Sequence, residues 1–456
     1  MTQAKFLHGS IIKHVITMSA TNALGLSALF MVDLADIYFI SLLGNSALTA
    51  AVGYASAVLF FTTSICIGLV TVNSASVAKS IGEHNQQQAR KQVSHISFYA
   101  FIFSTFVALL LYWFTPEILS QIGAQGEELR EATLYLRIIL PSSPILALAM
   151  QMGATLRSLG DAKHAMYATV GGSLINALLD PLLIFVFEMD LKGAAIASVA
   201  ARCTVLAIGF YFVFFKYKMF ARLQSANFWQ DTKAITAIAF PAIATQIATP
   251  LGNLYVTYEV AKFGSEYIAG WAIIGRLIPV MFAVMFALSG ALGPIIGQNY
   301  GALQFSRVKE VLNQSIKFII SYTLVISLLL SMGQNVVVDL FGAENKTAEI
   351  IRVFCQYISI TFIFTGITFV AMAFLNNLGY AKYATLLNIG KMTLGTVPFV
   401  TLGAYYYQAP GILYGQAAGT IFFGVIALLL TRKIINICQQ ELAGKAIKLQ
   451  LIDRRE

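Results

Sequence analysis

Charge is scarce in this sequence: Asp, Glu, Lys and Arg make up 11% of its 456 residues, against about 25% in soluble globular domains. Length alone suggests two or three soluble domains. Such domains would need far more charge to cover their surfaces, so that reading is excluded. Cysteine is scarce too. Cys66, Cys203, Cys355 and Cys438 include no pair at CxxC spacing, so neither a disulfide framework nor a metal site is indicated. The five histidines form no HExxH or similar cluster, and there is no GxSxG. An intramembrane enzyme would need a nucleophile with its base, or a metal cluster. No enzyme and no cofactor is therefore expected.

Apolar sequence is abundant. Hydrophobic residues reach 58% and the mean hydropathy is +0.74. Twelve apolar stretches run near 14–42, 48–78, 94–115, 132–154, 165–187, 193–215, 236–260, 268–294, 314–334, 350–374, 384–404 and 411–431. Each can cross a hydrocarbon core that takes about 20 helical residues. Lipid cannot satisfy exposed backbone N–H and C=O groups, so the stretches must be helices; a transmembrane barrel would show short alternating segments instead. The first stretch is too long for the apolar core of a signal peptide and reads as a retained helix. The expected fold class is an all-α polytopic membrane protein with 12 transmembrane helices.

The net charge of +9 follows from topology rather than from a nucleic-acid partner. With both termini on one side, that side carries 21 Lys and Arg residues and the other carries 6. The basic side faces the cytoplasm. Arg202, Arg276 and Lys391 remain more than five residues from either end of their stretches. The basic tail with Lys445, Lys448, Arg454 and Arg455 reads as a membrane-surface segment. The expected setting is a bacterial inner membrane, with both termini cytoplasmic, membrane lipids as neighbours and the protein a monomer.

The chain also repeats itself. LRSLGDAKHA at 156–165 matches LNNLGYAKYA at 375–384, with Gly160 and Gly379 219 residues apart. Gly123 and Gly342, and Gly82 and Gly301, keep the same offset. The chain is expected to form a first lobe over 1–215, a linker over 216–235, a second lobe over 236–431 and a tail over 432–456. The two six-helix lobes would be related by a pseudo-twofold axis along the membrane normal, with a central cleft where a cargo could bind.

Acids inside the stretches mark ion or proton paths more often than not. Asp33 and Asp36 lie one turn apart in FMVDLADIYFISLLG. Asp180 lies in LINALLDPLLIF, with Asn176 one turn before it. Asp33 could merely face polar loops, and Asp180 with Pro181 could mark a helix break. The second half offers only Glu259, near the outer end of its stretch. A structural requirement would more readily appear in both copies, so the asymmetry points to function.

In LADIYFISLLG, LRSLGDAKHAM, INALLDP and GAAIAS, and in its two-half layout, the chain resembles the multidrug and toxic compound extrusion (MATE) transporters, most closely their DinF-like branch. The resemblance covers nearly the whole chain. It implies cation-coupled export of amphipathic, often cationic, drug-like compounds. It also implies a first-lobe cation site at Asp36, Asp180, Asn176 and Ser198, with the Ala194 carbonyl as a further ligand. The coupling ion would be H+ or, alternatively, Na+ held at Asp36, Asn176, Asp180 and Ser198. The family's asparagine late in the fourth span is Gly153 here, with Gln151 as a substitute, and the usual proline early in the first span is missing from ITMSATN.

Burial and mutual repulsion of Asp36 and Asp180 would favour binding a proton. Arg202 would either pair with an aspartate or snorkel. Arg276 and Lys391 would repel cationic cargo, bind an anion or serve the structure; the sequence leaves all three open. Met31, Tyr38, Phe60, Phe61, Met281, Phe282, Met285 and Phe286 are candidates for adaptable contact with cargo. A lipid or polysaccharide flippase of the same superfamily is the alternative function. A receptor or structural membrane protein fits the duplicated halves poorly.

Overall fold

The computed structural model describes residues 4–222 and 228–453. The expected linker thus falls partly outside the described residues, as do Arg454 and Arg455 of the expected tail. The secondary structure of the described residues is helical, without strands. In chain order the helices are α1 (Ile11–Ser41), α2 (Ser46–Gly82), α3 (Gln86–Trp113), α4 (Thr115–Gln121), α5 (Gly126–Ile139), α6 (Ser143–Ser158), α7 (Ala162–Pro181), α8 (Asp190–Phe210) and α9 (Phe228–Ala261). They continue as α10 (Ser265–Met281), α11 (Ala283–Gly301), α12 (Phe305–Met332), α13 (Gln334–Leu340), α14 (Asn345–Val353), α15 (Phe362–Asn377), α16 (Ala381–Met392) and α17 (Val397–Asp453).

Ten helices or helix runs are long and apolar enough to cross a membrane, and the pair α10–α11, bent by 48°, makes up to eleven. The run Ala381–Glu441 counts once among them, yet α17 is two helices merged across a kink at Tyr407 and Gln408. Dividing it there recovers the twelve stretches.

The chain divides into two compact units. One comprises Ala20–Gln246 with Lys5; the other comprises Phe6–Ser19 and the chain from Ile247 onward. The first turns of α1 therefore group with the second unit. The first unit packs around Ala51, Leu119, Leu136, Ile139, Ile184 and Ala194. The second packs around Val256, Ile274, Phe282, Phe354, Val400 and Ile412.

The internal repeat is visible in the backbone. Gly160 and Gly379 both have positive φ, at 79° and 89°, and so do Gly123 and Gly342. His84 and Leu303, which follow the Gly82 and Gly301 anchors, have φ of 57° and 58° at the same offset. The short 3-10 segments Leu140–Ser142 and Ser359–Thr361 correspond in the same way. In one copy Pro141 removes a backbone donor and breaks the span between α5 and α6.

Candidate cation site in the first unit

Three helices build the site. α1 carries Asp36, α7 carries Asn176 and Asp180, and α8 carries Ser198. Pro181 ends α7 one residue after Asp180, and the chain continues as a π-helical turn over Leu182–Val186. Asp180 is fully buried, Asn176 nearly so, and Asp36 is half-buried.

Asn176 ties the group together. Its amide is oriented by its neighbours: the nitrogen donates to Asp36 Oδ1 at 3.1 Å and to Asp180 Oδ2 at 3.2 Å, while the oxygen accepts from the Ser198 backbone N–H at 3.2 Å. The Asp36 and Asp180 carboxyls are themselves within hydrogen-bonding reach of each other. Asp180 Oδ1 is buried with no donor on it. Two carboxylates this close, away from water, need a positive charge between them. A shared proton or a bound cation would supply it. Sodium would use oxygen ligands, to which the Asn176 amide could also contribute its oxygen by rotation. No cluster of three or more His, Cys, Asp or Glu residues suited to a metal ion occurs among the described residues.

The other candidates scatter. Ala194 is buried one turn before Ser198. Asp33 is exposed, one turn before Asp36. Gln151 is fully buried and belongs to a different polar group: the Asn73 amide donates to Gln151 Oε1 at 3.1 Å and to Thr155 Oγ1 at 3.0 Å. Arg202 neither pairs with an aspartate nor snorkels. It donates to Ser142 Oγ at 2.8 Å and to the Ile139 carbonyl at 3.3 Å, the two groups at the α5–α6 break. Met31, Tyr38, Phe60 and Phe61 are exposed. Phe282 and Met285 are core residues and do not offer a cargo surface; Phe282 stacks on Phe362 with ring centroids 4.4 Å apart.

Tyr135 was not singled out by the sequence. It is buried on α5 and its hydroxyl interacts with Ser198. Among 20 tyrosines, nothing in its neighbourhood marks it.

The MatE family model matches residues 23–182 and 241–401, one segment in each repeat. The chain belongs to the MatE family of membrane transporters. It is 28% identical over 393 residues to the FAD transporter of Shewanella oneidensis, covering 84% of this chain and 86% of the relative. It is 23% identical over 393 residues to the multidrug export protein MepA of Staphylococcus saprophyticus, covering 84% and 85%. The Vibrio cholerae MATE transporter VcmN in its bent form superposes with a TM-score of 0.90 at 24% identity, covering 94% of this chain and 98% of that one.

Proposed function

We propose that the protein is a cation-coupled multidrug efflux antiporter of the bacterial inner membrane. It exports amphipathic organic compounds in exchange for H+ by alternating access. Both termini are cytoplasmic and the working unit is a monomer. The observation that carries the reading is the Asp36–Asn176–Asp180 cluster, with a buried carboxylate oxygen that lacks a donor. With the proton bound, Asp36 and Asp180 share a single negative charge and need no hydration. With it released, two adjacent anions repel, and α1 must move or admit water. Cargo and proton then favour opposite states, so an inward proton gradient drives outward cargo movement. Na+ is the alternative coupling ion, to which the Asn176 amide could turn its oxygen.

Membership of a family with multidrug exporters supports the drug-like cargo. The relative named for FAD extends the range to amphipathic anions. The flippase alternative is the weaker reading: grips for anionic headgroups are usually built from several basic residues, and only Arg202, Arg276 and Lys391 lie more than five residues inside the expected spans.

The test is dye efflux from proteoliposomes with pH and Na+ gradients imposed separately. Asp36→Asn and Asp180→Asn should each abolish gradient-driven efflux. Retention of coupled efflux in both variants would overturn the assignment.

A further inference from the structure

The second unit carries charge of the opposite sign at mid-membrane depth. Its acids between residues 247 and 431 are Glu259, Glu266, Glu310, Asp339, Glu344 and Glu349. All lie within about two turns of a span end. Arg276 and Lys391 instead lie eleven and ten residues into their spans, roughly 15 Å from the ends at 1.5 Å per residue, halfway through a core of about 30 Å. No described acid forms an ion pair with either. Basic groups at this depth are expensive and generally face protein interior or water-filled space.

Both cations stand at the same level of α9. The Trp271 indole N–H donates to Thr257 Oγ1 at 3.0 Å. α10 runs antiparallel to α9, so Arg276, five residues further along it, stands level with Gly252 and its neighbour Asn253. On α16, Asn388 donates to Thr249 Oγ1 at 3.3 Å, and Met392 packs directly on Gly252. Lys391, next to Met392 in the chain, stands at the same level of α9. Asn253 is exposed there.

Both cations also sit beside a break in their helix. α16 stops at Met392, and the chain is irregular until α17 begins at Val397. The Thr396 hydroxyl donates to the Lys391 carbonyl at 2.9 Å within that break. Arg276 precedes the bend after Met281, whose carbonyl accepts from the Tyr322 hydroxyl at 2.6 Å. Broken helices at this depth are tolerated where they are buried in protein or line a cavity, and in transporters they build binding sites. The exposed residues of α10 besides Arg276 are Ser265, Glu266, Ala269, Ala272, Gly275 and Val280, mostly small or polar. A lipid-facing helix looks different: α12 exposes Leu324, Leu328, Leu329 and Met332.

We propose that Arg276 and Lys391, with Asn253 and the Thr393–Thr396 break, form an anion subsite in the second unit that takes the phosphate, sulfonate or carboxylate of an amphipathic cargo. The assignment rests on the transport reading above and names a cargo class within it. Guanidinium and ammonium groups supply charge-assisted donors, and the hydroxyl and amide groups add neutral ones. A cargo with an apolar ring system and one anionic group would satisfy the cations that the protein itself leaves without acids.

The test compares flavin mononucleotide with riboflavin, which share a ring system and differ by one phosphate, and with cationic ethidium. Efflux is measured in phosphatidylcholine proteoliposomes under an imposed pH gradient. Wild-type protein should prefer the phosphorylated flavin by about tenfold. Lys391→Gln and Arg276→Gln should each lower its efflux about tenfold and leave riboflavin and ethidium within about twofold. Lys391→Arg should retain most of the preference. Equal loss for all three probes, or no wild-type preference, would overturn the subsite. If ethidium, riboflavin and the nucleotide all fail to move under any gradient, the transport reading fails. Binding then decides the subsite separately, through quenching of Trp271 fluorescence by flavin mononucleotide in wild type but not in Lys391→Gln, with Trp271→Phe as the control. Should added phosphatidylglycerol slow ethidium efflux in wild type but not in Lys391→Gln, while the flavins remain indistinguishable, the occupant is a lipid headgroup and the cargo assignment is overturned.

Discussion

The Arg202 guanidinium donates to Ser142 Oγ at 2.8 Å and so closes the gap that Pro141 opens between α5 and α6. Its second acceptor is the Ile139 carbonyl at 3.3 Å, at the same break. Arg202 thus holds a broken span together from α8, one turn beyond Ser198. Arg202→Ala should destabilise the protein by about 1–3 kcal/mol, the cost of leaving such acceptors unpaired. Arg202→Lys should recover part of this, because an ammonium group lacks the planar fork that reaches both. Thermal unfolding in detergent checks the order wild type, Lys, Ala.

The Asn176 amide links the two carboxyls to α8. Asn176→Leu keeps the volume and removes both donors and the acceptor. Gradient-driven efflux should fall at least about tenfold, since each charged hydrogen bond is worth roughly 1.5–3 kcal/mol. The same proteoliposome assay reads it. Efflux within twofold of wild type would show that the amide does not organise the pair.

Much of this architecture was legible beforehand, for identifiable reasons. Apolar stretches announce spans because lipid leaves the backbone no alternative to helix. The repeat was legible because its anchors are glycines at positive φ, as at Gly160 and Gly379, where a side chain costs free energy and composition is therefore constrained. The aspartates and Asn176 stood out as polar residues in apolar runs. Arg202 was misread because its acceptors are a backbone carbonyl and a serine, and neither leaves a pattern in the sequence. The break over Thr393–Thr396 was invisible for a similar reason. It is held by hydrogen bonds and by packing from a distant helix, and the only proline nearby, Pro398, lies after it.

A cluster at the start of α7 predicts a pH response. The Asp161 carboxylate accepts from the Tyr217 hydroxyl at 2.5 Å, lies 2.6 Å from His164 Nδ1 and stands 3.7 Å from Lys216 Nζ. Burial alone would raise its pKa, but the hydrogen bonds from Tyr217 and His164 outweigh burial and hold it below the ordinary value. A depressed acid contributes stability above its unfolded pKa, about 3.9, and loses it as pH falls through the folded value. Asp161→Asn should therefore lower the melting temperature at pH 7. The gap to wild type should narrow only below about pH 4. A gap that closes between pH 7 and pH 5 instead would contradict this cause.

The repeat offers an internal comparison. Gly160 and Gly379 occupy the same left-handed position after α6 and α15. A Cβ at Gly160 would lie 2.8 Å from Lys5 Cδ, whereas one at Gly379 meets nothing within 4 Å. Both alanine variants bear the left-handed penalty of about 1–2 kcal/mol. Gly160→Ala should cost more, because Lys5 must also move while its ammonium donates to the Gly160 carbonyl at 3.0 Å. Melting temperatures of the two single variants test the ranking.

Gly411, Gly415 and Gly419 recur every four residues along α17 and let its second half lie backbone to backbone on the preceding segment. The closest approach is at Gly419, where an added Cβ would fall 1.5 Å from the Gly395 carbonyl oxygen. No side-chain rotation relieves that overlap, so Gly419→Ala must separate the two segments. Gly395 belongs to the break that follows Lys391, so the displacement reaches the basic subsite directly. The variant should lose more than about 3 kcal/mol of stability, in the range reserved for severe packing defects. In whatever folded fraction remains, flavin mononucleotide efflux should suffer more than ethidium efflux. Gly275→Ala is the matching control. It lies on the exposed face of α10 with nothing within 4 Å of the new Cβ, and alanine favours helix by about 0.8–1 kcal/mol over glycine. That variant should be neutral or slightly stabilising. Comparable damage from both substitutions would show that α17 does not depend on close approach at Gly419.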